Sequence, residues 1–269
     1  MFNLLCMDLR RLTRTRSFYI ILAVTMVFIA TMIAMLSAMS NPEQLDALQD
    51  TGMVVTSGSS EELREELRGM TQLDFIHECL GSGFLLMMTC IGMVLLVHRD
   101  FSSGYVKNIC FVRPRRWEYV LSKLLVTGVY SGILIILGVL LCLGCPLVVG
   151  IQLAASPIPR ILQYAFWLWF PHWAFGLMGQ ALVLLTRGST LGIVMAVVSG
   201  GGLTAAFLQT LCQRFGWPSL AQYTLSMVVG TQCVPMLGME QMMMILACAA
   251  GWGLAYAAGS LILMEKRDI

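Results

Sequence analysis

Apolar residues in this chain neither alternate nor keep to every third or fourth position; they gather into runs of about twenty or more. Six such runs are present: Ser17 to Met39, about Phe75 to Val97 with His77 and Glu78 at its outer end, about Tyr119 to Cys142, about Ile161 to Thr186, about Ser189 to Thr210, and about Met242 to Met264. A helix rises about 1.5 Å per residue, so roughly 20 apolar residues cross the roughly 30 Å of hydrocarbon in a bilayer. The pattern therefore predicts an all-α, polytopic membrane protein with six transmembrane helices in one domain, 1–269. No alternation of the kind that builds a lipid-facing barrel occurs. The first run exceeds the apolar core of a secretory signal, and no small-residue cleavage pattern closes it, so it reads as a retained span.

The segments between runs carry the polar residues. In 41–74, "SSEELREELRGM" pairs Ser59 with Glu62 at capping-box spacing and ends on Gly69, with Leu63, Leu67 and Met70 as a narrow apolar stripe. This predicts an acidic helix that either lies over an outer mouth or is simply solvated. The segment 211–241, with Trp217, Pro218 and Pro235, is too long for a tight turn and suits a short re-entrant or interfacial helix. In 98–118, Phe101, Tyr105 and Ile109 recur every four residues with Val106 beside them, while Asp100, Ser103, Lys107 and Asn108 fall elsewhere. That spacing predicts a short amphipathic helix over 100–111. Pro114 disfavours helix at Arg113 and should end it; Arg115, Arg116, Trp117 and Tyr119 then form an interfacial anchor. Such a segment is either a topology signal lying on lipid or a docking helix for a cytoplasmic partner.

Composition agrees with the pattern: 58% of residues are hydrophobic, 12% are charged, and the mean hydropathy is +0.78, whereas about a quarter of the residues in a soluble domain are charged. The net charge of +2 hides an asymmetry. With six spans both termini share one side. That side holds thirteen of the 17 basic residues, including Arg10, Arg11, Arg14, Arg16, Arg99, Lys107 and Lys123, but only five of the 15 acidic ones. The positive-inside rule then makes the termini, the amphipathic lead-in 1–16 and the segment 98–118 cytoplasmic. Nothing in this distribution suggests nucleic-acid binding.

One stretch carries a recognisable motif. An aromatic residue, Phe101, is followed by Gly104 and by Lys107, Asn108 and Ile109; then come Arg113, Pro114 and Arg116, and finally Leu121, Ser122, Lys123 and Leu124. This pattern resembles the cytoplasmic loop of ABC-2 type permeases, the membrane subunits of bacterial ATP-binding-cassette exporters. The opening "CMDLRRLTRTRSFYI" is similar to that family's lead-in to its first span. The resemblance implies a coupling helix between spans two and three, seated in a groove of an ABC ATPase subunit. It implies that Phe101, Tyr105 and Ile109 face the ATPase, that Asp100, Lys107 and Arg113 make polar contacts around them, and that Gly104 and Arg116 complete the motif. Tyr105 is placed by helical spacing alone. The resemblance further implies a second permease copy or paralogue, no cofactor in this chain, and ATP and Mg2+ bound by the partner. Small permeases of peptide-antibiotic efflux and immunity systems are similar, which points to an amphipathic antimicrobial peptide or drug exported across the cytoplasmic membrane. The alternative is a non-transporting membrane enzyme or a signalling or sensor subunit.

Other chemistry finds little support. No G-x-x-x-x-G-K-[ST] is present, and Gly200, Gly201 and Gly202 lie in a span with no following Lys. "HECLG" at 77–81 lacks the second His of a zinc protease. His98-Arg99-Asp100 echoes a kinase loop without its glycine-rich loop or D-F-G. G-x-S-x-G is absent and only three His occur, which leaves a serine hydrolase little to work with. Cys142 and Cys145 form a lone C-x-x-C that reads as packing; a disulfide among Cys79, Cys142, Cys145, Cys212 and Cys233 stays open. His172 follows Pro171, which leaves the Trp167 carbonyl without its helical donor. An ionisable group at this depth is a functional candidate, although a neutral imidazole bonded inside the bundle is the plainer reading. Gln163 and Gln180 on the same run either line a translocation path or bond to neighbours. Small residues recur every four positions at Gly128 and Gly132, at Gly192, Ala196 and Gly200, and at Ala247, Gly251, Ala255 and Gly259, a spacing that lets helices approach closely.

Overall fold

A computed structural model describes residues 2–39, 41, 65, 67–112, 116–217 and 220–266. The described chain is helical: α1 (Phe2–Arg14), α2 (Arg16–Met39), α3 (Gln72–Leu80), α4 (Gly83–Ser102), α5 (Tyr105–Val112), α6 (Trp117–Val149), α7 (Ile158–Thr186), α8 (Thr190–Gly200), α9 (Leu203–Phe215), a 3-10 turn at Ala221–Tyr223, α10 (Leu225–Thr231) and α11 (Met239–Lys266). Five of these, α2, α4, α6, α7 and α11, are long and apolar enough to cross a membrane, and α8 with α9 makes a sixth if the bent pair is one span. The chain is a multi-pass membrane protein.

The spans are not equivalent. In its most apolar window α7 is 67% buried, against 22% for α2 and 17% for α11. α7 is therefore the hub: it packs on α11, α4, α6 and α8. Its grip on α6 rests on two indoles. Trp169 and Trp173 stack with centroids 5.1 Å apart and donate, each at 2.8 Å, to the carbonyls of Gly128 and Leu124. Glycine gives them a close seat, because a Cβ at Gly128 would lie 3.2 Å from the Trp173 ring. The row Gly192, Ala196 and Gly200 serves the same purpose between α8 and α4, where added Cβ atoms would strike Val94 and Met87. The third row differs: Gly251 and Gly259 have nothing within 4 Å, and Ala247 and Ala255 are exposed.

Several boundaries depart from the sequence expectation for physical reasons. The second run is two helices. Thr71 caps α3 reciprocally with Asp74, the Thr71 hydroxyl accepting from the Asp74 amide at 3.2 Å and the Thr71 amide donating to the Asp74 carboxylate at 3.0 Å. The chain then breaks at Gly81 and Ser82, which lets Gly83 at the head of α4 meet the backbone of Gly200. The spanning helix consequently starts later and runs on to Ser102, taking in Asp100 and Phe101. The fifth run is also two helices, bent by 64° at Gly201 and Gly202, where Gly202 has φ +77°. The amphipathic helix predicted over 100–111 is cut at Gly104, whose φ of +69° no side-chain-bearing residue adopts readily; only 105–112 forms α5. The acidic helix predicted around Ser59 to Gly69 falls mostly outside the described residues, as do Arg113, Pro114 and Arg115.

Packing also places the chain's two ends. Val106 of α5, Tyr119 and Val120 of α6, Leu184 of α7 and Met264 of α11 form one buried cluster, and Arg116 donates to the Met264 carbonyl at 3.1 Å. α1 rests on the same end of α6. The first helix and the last turn of α11 thus lie at one end of the bundle, together with α5.

Candidate functional site

α1 is strongly amphipathic, and its buried stripe runs Leu4, Asp8, Leu12 at i, i+4 and i+8. An aspartate therefore sits in the middle of the face that packs on α6. It is 0% exposed, and so must be met by charge or by several donors. Both are present. Lys123, 1% exposed although it lies on an apolar span, reaches Asp8 Oδ1 at 2.9 Å and Asp100 Oδ2 at 2.6 Å. Arg11, one turn along α1, reaches Asp100 Oδ1 at 3.0 Å. Two carboxylates and two cations from three helices make a cluster with no formal net charge, buried except at Arg11, whose side chain is 27% exposed.

Neutral donors serve the rest of the carboxylate lone pairs, while Arg11 Nη1 has no partner among the described residues. Ser122 donates to Asp8 Oδ2 at 2.6 Å, Tyr105 to Asp8 Oδ1 at 3.1 Å, and Tyr119 to Asp100 Oδ2 at 3.2 Å. The Arg11 guanidinium also lies 3.5 Å over the Tyr105 ring, a cation–π contact that joins α1 to α5 directly. Burial, reinforced by the adjacent Asp8 carboxylate, pushes the Tyr105 phenol well above its usual range, so it remains a donor. Satisfying every carboxylate oxygen is what makes such burial tolerable.

The residues singled out by sequence divide between this cluster and the surface. Asp100 is buried within it rather than presented outward. Phe101 is half-buried against the core, and Tyr105 and Ile109 are half-buried against the spans. The resemblance implies that these three side chains face an ATPase; in the described chain each is half-buried against its own helices. The cause is that Val106 and Ile109 cover the Tyr119–Met264 cluster while Asp8 and Arg11 hold Tyr105. The outer face of α5 instead carries Lys107, Asn108 and Phe111, the last 93% exposed. Gly104 makes the sharp turn, Arg116 ties the start of α6 to α11, and Arg113 is outside the described residues.

The three polar residues that the sequence offered for a translocation path do not converge. His172 is fully buried and its Nδ1 donates to the Leu168 carbonyl at 2.8 Å, which leaves Nε2 as a bare acceptor with no partner among the described residues. Gln180, two turns along, is buried with an unpartnered Oε1. Between them Gly176 is pressed so closely that a Cβ would meet Thr127 and Thr89. Gln163 is exposed, beside a cavity of about 260 Å³ lined by Arg160, Tyr164 and Met236. Cys79, Cys142, Cys145, Cys212 and Cys233 are free thiols.

Sequence reasoning missed Asp8, Arg11 and Tyr119 as site residues, and Ser122 and Lys123 entered only as motif matches. The signal was available: an acid centred in an apolar stripe, and a lysine one turn inside an apolar run. No protein-family model matches the chain, and no curated protein matches it.

Proposed function

We propose that this chain is the membrane-spanning permease subunit of an ABC exporter, with six spans counting α8 and α9 as one. Its termini and α5 face the cytoplasm and it resides in the cytoplasmic membrane. Its cargo is an amphipathic antimicrobial peptide or drug, moved outward with ATP and Mg2+ bound by a separate ATPase subunit, and it works beside a second permease copy or paralogue. One observation carries this reading. α5 is a separate helix, turned off α4 by the left-handed Gly104, bound on its inner side to the spans and exposing Lys107, Asn108 and Phe111 on its outer side. A helix fixed to the spans and free on its outer face is what a force-transmitting contact requires. The charge asymmetry of the sequence and the motif around Gly104 support the same reading.

The test is a mild-detergent pull-down of the whole chain from its own host, with mass spectrometry of what remains bound. An ATPase subunit in stoichiometric amount, lost when Phe111→Ala and Lys107→Glu are combined, supports the proposal. Recovery of the chain alone, or with other membrane proteins only, overturns it. The bare Nε2 of His172 favours the second reading, a membrane enzyme or sensor. On that reading His172→Phe abolishes function in a chain that binds no ATPase.

A further inference from the structure

The buried cluster is built from two halves, each neutral by itself. α1 contributes Asp8 and Arg11; the spans contribute Asp100 and Lys123. The spans' own pair is the shortest of the set, Lys123 to Asp100 at 2.6 Å, and the other two ion pairs cross between the halves, Asp8 to Lys123 at 2.9 Å and Arg11 to Asp100 at 3.0 Å. Lifting α1 away therefore strands no unbalanced charge in the bundle. Lys123 keeps Asp100, Asp100 keeps the Tyr119 hydroxyl, and Asp8 and Arg11, three residues apart on one helix, enter water as an ordinary surface pair. A buried ion pair normally resists opening because one ion is left unpaired in a poor solvent, and this arrangement avoids that penalty.

The mounting of α1 fits such movement. It packs on α6 and lightly on α2, and it is joined to α2 through one non-helical residue, Thr15. Its departure would change α5 directly. Tyr105 loses both the guanidinium over its ring and the carboxylate on its hydroxyl, and α5 is then held to the spans only through Val106, Ile109 and the Tyr105 ring, which keeps its packing on the Tyr119–Met264 cluster and Lys123 at 5.8 Å.

We propose that α1 is a detachable clasp: it docks through Asp8 and Arg11, and while docked it fixes α5 against the spans, so that its release frees α5 without unfolding α4 or α6. The clasp stands whatever α5 engages, and so does not depend on the exporter reading.

Hydrogen–deuterium exchange of the full-length protein in detergent micelles, read by mass spectrometry, tests it. In Asp8→Asn/Arg11→Gln the spans keep their own neutral pair while α1 loses its charged contacts. Amides of α1 and of α5 should then exchange at least about tenfold faster together, those of α4 and α6 remaining as in the parent. Unchanged protection of α1 would mean that its apolar stripe suffices, and the clasp fails. Opening of α1 with α5 still protected would remove its control of α5. Loss of protection in α4 and α6 would make the cluster a fixed strut. Should the double variant not fold, the parent protein decides: α1 and α5 must open with one common rate, and independent rates overturn the proposal.

Discussion

Lys123 and Asp100 meet at 2.6 Å, one from the start of α6 and the other from the last turn of α4, and both are shielded from water. Because Lys123 also holds Asp8, two carboxylates share this one cation. Replacing Lys123 by Met leaves two buried acids facing Arg11 alone, and removing one partner of a buried pair costs about 3–5 kcal/mol. Asp8→Asn leaves Lys123 with Asp100 and keeps a side chain for Ser122, so it should cost about 1–3 kcal/mol. The order of the two thermal midpoints in detergent is the check. An Asp8→Asn protein less stable than Lys123→Met would mean that Lys123 does not organise the cluster.

Gly104 poses a different kind of constraint. Nothing lies within 4 Å of where its Cβ would be, so a substitution meets no steric wall, only the strain of φ +69°. Gly104→Ala should lower stability by about 1–2 kcal/mol and Gly104→Asn by less, since Asn tolerates the left-handed region better. Equal losses for the two would show that something other than backbone conformation sets the requirement.

Gly128 presents the opposite case, because the Trp173 and Trp169 rings lie only 3.2–3.4 Å from its Cβ position and leave no room for a larger side chain. Gly128→Leu must displace one or both indoles from the carbonyls of Leu124 and Gly128, costing about 1–3 kcal/mol of overpacking. The displacement is readable in tryptophan emission. Trp169→Phe/Trp173→Phe in the same background should erase the spectral change, and a Gly128→Leu spectrum identical to the parent would refute the packing.

How far the sequence reaches is visible in these residues. Runs of apolar residues specify helices because backbone groups in lipid must bond within their own segment, so the five long helices and the sixth apolar run were legible. Breaks inside two runs were not: Gly81 and Gly201 punctuate them only because Gly83 and Gly200 must touch, a contact between residues 117 positions apart. In 98–118 the period-four pattern found an amphipathic helix but left open what its apolar face meets. Phe101, Tyr105 and Ile109 look like a surface when the neighbours are unknown; the neighbours are α1, α6 and α11, against which they are half-buried. Asp8 is the same lesson in charge, since its partner on α6 lies 115 residues away.

The two faces of α5 can be separated by mutation. Phe111 is 93% exposed, and truncating an exposed side chain away from packing normally changes stability by less than about 0.5 kcal/mol. Phe111→Ala should therefore leave the thermal midpoint where it is. Tyr105→Ala removes the ring beneath Arg11 and a hydroxyl bonded to Asp8, which should cost about 1–3 kcal/mol and lower the midpoint by several degrees. If α5 seats in an ATPase subunit, the order reverses for binding: Phe111→Ala releases the partner from a fully stable chain, because an exposed aromatic gains most from burial at an interface. Tyr105→Ala, measured below its own midpoint, retains more of the partner than Phe111→Ala does. Partner retention that falls with Tyr105→Ala and stays intact with Phe111→Ala would place the contact on the inner face, and the outward assignment of Lys107, Asn108 and Phe111 would be wrong.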